Sequence, residues 1–354
     1  NLNAIQENLN SYRKLLNPST RIMVMVKAFA YGSGMIETAK LLQHNKVDYL
    51  AVAYPDEGIT LRKAGIELPV MVMNSSPGQW KQLVDNCLEP EIYSIEQMDQ
   101  WLAFDLHDGY PVHLKLDTGM HRLGFTEEQI DKLLQRIQAN PSLRIKSVFS
   151  HLAASESAEA TPFSKAQIDR FEQMSAEVVN NCPNTPWRHL LNSGGIINFP
   201  EAAFDMVRLG IGLYGIDTSN TIQLSQVIRL KSYVCQLKKV KAGGQVGYGT
   251  NSIVDKDTLV AVVGIGYGDG FDRRLGNGVG KIFIDGKPAS VIGNVCMDMT
   301  MVDVTGMDDI QEGQEVEVFG EAYGFAEAAS SIGTIPYELM TNLSERIKRI
   351  FMME

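Results

Sequence analysis

Over the first two thirds of the chain, apolar residues gather in short unbroken runs. Each run is followed by a stretch in which apolar positions recur every three to four residues. The first pattern is that of a strand buried on both faces, and the second that of an amphipathic helix. Runs at 21–28, 47–54, 68–73, 89–94, 112–118, 143–152, 189–193 and 206–215 predict eight strands. Helices are predicted between them, for example over 55–64, 94–107, 126–139 and 165–181. Start signals such as Tyr54-Pro55-Asp56-Glu57 and Ser75-Ser76-Pro77-Gly78 precede such stretches. Eight βα units in about 220 residues fit a (β/α)8 barrel, for which ~250 residues is usual. A doubly wound open sheet is the alternative if one strand is miscounted.

The texture changes near residue 230. Alternating apolar and polar positions at 232–241, 258–264, 281–284, 290–292, 299–304 and 315–319 predict strands with one solvated face. Asp285-Gly286 between two such runs is a hairpin signal, since both central positions need positive φ. Short helices follow at 326–332 and 336–340. The chain is therefore expected to be α/β, with a barrel over 1–228 and a mostly antiparallel β domain over 229–354.

Composition narrows the partners. The 354 residues carry 32 basic and 42 acidic side chains, a net charge of −10. The sequence pI of about 5.2 argues against a nucleic-acid or anionic-membrane surface. No apolar run approaches the ~18 residues of a membrane span. Cys87, Cys182, Cys235 and Cys296 lie far apart with no metal-ligand spacing, as expected of thiols in a reducing compartment, and no metal is expected.

Chemistry enters when polar residues are laid on the eight strands. Lys27 lies near the end of the first, Lys115 and Asp117 end the fifth, and Arg122 follows in the next loop. Ser150 and His151 end the sixth, Asn192 and Ser193 the seventh, and Arg208 and Gly210 lie on the eighth. Barrel active sites are built at these carboxyl ends, often with a phosphate site after strands seven and eight. Ser193-Gly194-Gly195 offers a hydroxyl and exposed amides to such a phosphate. Taken singly, each feature has a plainer reading: a snorkelling lysine, a glycine loop, a packed histidine, and Cys296 as a small buried hydrophobe. Their convergence on one rim favours chemistry. A lysine in a buried strand beside a phosphate site fits Schiff-base chemistry, either with pyridoxal phosphate or in a cofactor-free aldolase.

These residues sit in motifs that resemble those of bacterial alanine racemases, a pyridoxal phosphate family with a barrel and a β domain. The motifs are Val26-Lys27-Ala28-Phe29-Ala30-Tyr31-Gly32, Asp117-Thr118-Gly119-Met120-His121-Arg122-Leu123-Gly124, Asn192-Ser193, Arg208-Leu209-Gly210-Ile211, Gly266-Tyr267-Gly268-Asp269-Gly270, Cys296-Met297-Asp298 and Pro336-Tyr337-Glu338. The resemblance covers nearly the whole chain. Ser33 stands where the family usually has histidine. The family's first strand belongs before Asn1, which implies a chain trimmed or cut from a longer polypeptide, as in the relatives fused behind a cell-wall ligase.

The resemblance implies roles. Lys27 would carry pyridoxal phosphate, and Tyr31, Ser193, Gly210, Ile211 and Tyr337 would hold its phosphate. Arg208 would face the pyridine nitrogen, where related ornithine and diaminopimelate decarboxylases have glutamate, so arginine favours racemisation. Tyr267 of the partner subunit would be the second base, opposite Lys27, with His151 and Arg208 offsetting the cost of deprotonating it. At a pKa near ~10 that cost is about 4 kcal/mol at pH 7. Arg122 and the Met297 backbone N–H would take the substrate carboxylate, with Asn192 and Asp298 supporting. Lys115 is carbamylated in some members, which gives Arg122 a carboxylate to lean on; an unmodified Lys115 would repel it. The expected protein is a homodimeric alanine racemase of a bacterial cytoplasm that supplies D-alanine for peptidoglycan. A broader racemase, a decarboxylase and a barrel-only pyridoxal phosphate carrier are the alternatives.

Overall fold

The computed structural model describes residues 1–105, 109–157, 159–217, 219, 221–250 and 252–353. The chain forms two compact units. One comprises Leu2–Ala30 and Gly34–Ser225; the other comprises Asn1, Tyr31–Ser33 and Gln226–Glu354.

In the first unit, β1 (Arg21–Met25), β2 (Tyr49–Val52), β3 (Val70–Val72), β4 (Leu88–Ile92), β5 (Pro111–Lys115), β6 (Arg144–Phe149), β7 (Trp187–His189) and β8 (Met206–Leu209) close into a parallel barrel in sequence order. Closure is made by β1, which pairs Met23 with Tyr49 on one side and Ile22 with Val207 on the other. This is the (β/α)8 barrel the apolar runs predict, and it excludes an open sheet. Val24, Leu50, Met71, Leu114, Val148 and Leu209 are wholly excluded from water, as strands covered on both faces require.

Helices Pro55–Lys63, Ile95–Leu102, Ile130–Ala139 and Thr161–Asn180 fall where the periodicity puts them, and Leu2–Lys14 adds one the runs did not mark. Residues 106 and 107 of the helix expected over 94–107 lie outside the described residues. The start of Ile95–Leu102 is fixed by Ser94, whose side chain accepts the Gln97 amide at 3.1 Å.

Most strands are shorter than their apolar runs, which moves several candidate residues from strands into the loops just beyond them. Lys27, Asp117, Ser150, His151 and Gly210 all lie past a strand end. The seventh strand is displaced altogether, to Trp187–His189 rather than 189–193. Leu190 and Leu191 remain buried, but the Asn192 side chain accepts the Gly195 amide at 2.9 Å and turns the chain into helix Ser193–Asn198.

In the second unit, β9 (Leu230–Val240), β10 (Thr258–Val263), β11 (Lys281–Ile284), β12 (Lys287–Ile292), β13 (Thr300–Asp303) and β14 (Glu315–Phe319) form a closed antiparallel sheet in the order β10-β13-β12-β11-β14-β9. Asp285 and Gly286 make the β11–β12 turn with φ of 47° and 75°, as that pair predicts. Val246, Val254, Val260 and Met301 pack together inside this unit.

Candidate active site

The loop after β1 turns the wrong way for L-amino acids. Ala28, Phe29 and Ala30 have φ/ψ of 50°/53°, 55°/40° and 53°/53°, and Tyr31 continues at φ 52°. This is a left-handed helical turn with no glycine in it, at about 1–2 kcal/mol per residue. It is held by hydrogen bonds from the Ala30 amide to the Val26 carbonyl and from the Gly34 amide to the Phe29 carbonyl, both 3.0 Å. Glu57 holds it to the neighbouring strand. Its Oε1 accepts the Ala28 amide at 2.7 Å, while Oε2 accepts the Ala53 amide at 2.7 Å and the Tyr54 amide at 3.1 Å. Lys27 opens this turn at the barrel rim. Desolvation and the nearby Arg122 hold its ammonium below the ordinary lysine range, against the pull of Glu57.

Arg208 on β8 is buried and surrounded by acceptors. Its NH2 donates to the carbonyls of Ser150 (2.6 Å) and Leu190 (2.9 Å) and to His151 Nδ1 (3.2 Å); its NH1 donates to His189 Nδ1 at 2.7 Å. Burial brings its pKa down to about 10, still far above neutrality. Because a guanidinium only donates, it fixes every proton behind it. His189 must then donate from Nε2 to Ser147 Oγ (2.8 Å), and Ser147 donates to His113 Nδ1 (2.6 Å). His113 donates from Nε2 to Glu89 Oε2 (2.8 Å), which also accepts the Tyr49 hydroxyl (3.0 Å). This chain crosses the barrel interior on β8, β7, β6, β5 and β4. His151, whose Nδ1 accepts from Arg208, is held well below the histidine range by desolvation and by Arg208, Arg122, Lys115 and Lys27. It is therefore neutral near pH 7, with Nε2–H as its only donor.

One tier above His113, Lys115 lies on the same face of β5, and its Nζ is 3.2 Å from Oε1 of Glu91 on β4. Glu91 is fully buried, and neither of its carboxylate oxygens makes a well-formed hydrogen bond. Burial pushes its carboxyl up, opposed by Lys115, Arg208 and Arg122. The Arg122 loop is shaped by Asp117, whose Oδ1 accepts the amides of Gly119 and His121 at 3.0 Å. Arg122 itself is exposed, and among the described residues it has no ion-pair partner.

After β7 and β8 the backbone forms a cradle. Ser193 Oγ accepts the amides of Gly210 (2.9 Å) and Gly212 (3.2 Å), so two N–H groups and a hydroxyl converge. Gly212 admits no side chain, because a Cβ there would strike the Tyr12 hydroxyl, which is buried without a hydrogen-bond partner. Converging amides, a serine and an unsatisfied phenol make a donor set suited to a phosphate.

In the second unit the rings of Tyr31 and Tyr337 pack 5.9 Å apart. Tyr267 and Met297 are 44% and 54% exposed, and their loops are joined through the backbone. The Tyr267 amide donates to the Cys296 carbonyl (3.0 Å) and the Gly268 amide to the Met297 carbonyl (2.8 Å). Arg346 clamps both loops, donating at 2.8 Å to Asp269 and at 2.8 Å to Asp298.

The family model described as the alanine racemase N-terminal domain matches residues 1–218, and that of the alanine racemase C-terminal domain matches residues 227–351. The chain belongs to the alanine racemase family. An alanine racemase of Carboxydothermus hydrogenoformans is 36% identical over 366 residues, covering 99% of this chain and 98% of the relative. One from Methanococcus maripaludis is 34% identical over 364 residues, at 99% and 97% coverage. Among solved structures, the alanine racemase of Bartonella henselae with covalently bound pyridoxal phosphate superposes with a TM-score of 0.92 at 29% identity, covering 99% of this chain and 98% of that one. The Bacillus anthracis alanine racemase with bound L-Ala-P has a TM-score of 0.92 at 28% identity, with 99% and 93% coverage.

Of the residues that alanine racemase motifs single out, the barrel unit gathers Lys27, Lys115, Arg122, His151, Asn192, Ser193, Arg208, Gly210 and Ile211 on or just beyond its strand ends. The second unit carries Tyr31 with Tyr337, and Tyr267 with Met297 and Asp298. Sequence reasoning did not single out Glu57, Glu91, His189 or Arg346. Glu89-Pro90-Glu91 was a signal: two acids spaced by two on a strand with no solvated face have no reason to be there except polar partners inside the barrel.

Proposed function

We propose that this protein interconverts L-alanine and D-alanine with pyridoxal phosphate, using two bases in a homodimer with shared active sites. The observation that carries this reading is Arg208, locked by its acceptors into a guanidinium that can only donate. The residues present fit the cofactor. The Ser193, Gly210 and Gly212 cradle suits its phosphate, and Lys27 is a half-buried amine on the rim with depressed basicity. On this reading Lys27, Ser193, Arg208, Gly210 and Ile211 of the barrel over 1–228, with Tyr31 and Tyr337, would hold the cofactor, and the β domain over 229–354 would complete the partner's site. Bound there, pyridoxal phosphate supplies an electron sink that acidifies the proton on the substrate's Cα.

The chain's own groups then divide the work. Arg208 can neither accept nor readily give up a proton, so it would leave a pyridine nitrogen facing it unprotonated, which would disfavour decarboxylation and transamination. Lys27 takes or returns the Cα proton on one face, and its lowered pKa frees its amine nearer neutrality. Tyr267 of the partner subunit serves the other face. A neutral His151 can donate only from Nε2, which is the hydrogen bond that stabilises a phenolate. Arg122, exposed and unpaired, is free to take the substrate carboxylate with the Met297 amide. D-alanine made in this way supplies peptidoglycan in a bacterial cytoplasm.

Exchange of the Cα proton in deuterated water, read separately for each enantiomer, tests the mechanism. Tyr267→Phe should lose exchange from one enantiomer only, with kcat down roughly 10²- to 10⁴-fold. Equal loss from both overturns the two-base assignment, and release of carbon dioxide would replace racemase with decarboxylase.

A further inference from the structure

We propose that Glu91 is a positioning residue, a built-in carboxylate that neutralises Lys115, keeps it unmodified and so leaves Arg122 in place for the substrate. The inference rests on the racemase reading above and deepens it. Four cationic side chains, Lys27, Lys115, Arg122 and Arg208, share one barrel rim, and Lys115 and Arg208 both lie against the Phe149 ring, at 5.5 and 5.2 Å from its centre. An uncompensated ammonium in that position would push Arg122 outward. Glu91 is the fully buried acid among them, set 3.2 Å from Lys115 by the β4–β5 pairing of Glu91 with His113. Its carboxylate has acceptor capacity to spare, because neither oxygen makes a well-formed hydrogen bond.

The same geometry disfavours carbamylation of Lys115. That reaction joins the unprotonated Nζ to the carbon of carbon dioxide and releases one proton, which turns a cationic position into an anionic one. Here the new anion would face a buried carboxylate already in contact with Nζ, with no solvent between to screen the repulsion. One negative charge is needed to offset the cations of this rim, and the strand supplies it genetically, against Lys115, rather than by modification.

The holoenzyme is tested with ¹³C-bicarbonate and by kinetics. The wild type should show no protein-bound carbamate resonance, and its activity should not respond to bicarbonate depletion. Glu91→Gln, nearly isosteric, should raise KM for alanine about tenfold while kcat changes little, because Arg122 is displaced rather than lost. Adding Lys115→Met should recover most of that loss, since the unpaired cation has gone. A carbamate resonance in the wild type, an unchanged KM in Glu91→Gln, or a double variant no better than the single each overturns the proposal. Absence of racemisation by the wild-type holoenzyme would instead refute the functional reading, which the resonance does not depend on.

Discussion

Lys27 is stored in the barrel rim at a cost that varies with pH. Desolvation and Arg122 hold its pKa below the ordinary 10.5. An unfolded chain returns the ammonium to water, so between the depressed value and 10.5 the unfolded state binds more protons. Stability therefore rises with pH through that window. Below it, both states are protonated and the full penalty applies. The Lys27→Met apoprotein should be more stable than the wild-type apoprotein at pH 7, and the gap should close as pH rises toward 10.5. Urea denaturation of both across pH measures it; equal stability at pH 7 would contradict the argument. The chain of histidines behind Arg208 is a different kind of residue-scale device. One guanidinium sets the donor and acceptor roles along it down to Glu89.

At the scale of elements, the barrel strands were legible because burial on both faces forces continuous apolar runs, and the hairpin at Asp285-Gly286 because few residues accept its φ. The turn carrying Lys27 was not legible. Lys-Ala-Phe-Ala-Tyr contains no residue that favours left-handed φ, and read locally it continues a strand or starts an ordinary helix. What reverses it is the Glu57 carboxylate, thirty positions on from Lys27, reaching the Ala28 amide. The seventh strand failed for a related reason: capping by Asn192 interrupts an apolar run that composition alone would extend. Glu91 is hard to see in the sequence because the apolar residues of β4 mask the acids between them. The strain in the turn can be measured. Ala28→Gly removes about 1–2 kcal/mol of left-handed strain and returns some unfolded-chain entropy, for a net gain of about 0.5–1 kcal/mol. Thermal denaturation should show that gain, with turnover reduced because Lys27 is less firmly held. A variant both less stable and equally active would show the turn to be unstrained.

For the whole molecule, the decisive property is whether sites are shared between subunits. On the proposed reading Lys27 of one subunit works with Tyr267 of its partner, so two inactive variants should complement through a mixed dimer. Equal amounts of Lys27→Ala and Tyr267→Phe subunits, unfolded and refolded together, should recover about one quarter of wild-type activity: half the dimers are mixed, and half their sites are intact. No recovery would place both bases in one subunit.

The crowding of cations on one rim of an acidic protein has a kinetic consequence. The net charge of −10 repels a phosphate-bearing cofactor at long range, while Lys27, Arg122 and Arg208 draw it in over the last few ångströms. Added salt removes the distant repulsion first, since the Debye length is still about 10 Å at 0.1 M and falls to about 3 Å only at 1 M. Reloading of the apoprotein should therefore speed up on moving from low to moderate ionic strength and slow only at high ionic strength, the reverse of ordinary electrostatic steering at its low-salt end. Alanine, a zwitterion with no net charge to be steered, should bind with nearly the same affinity throughout.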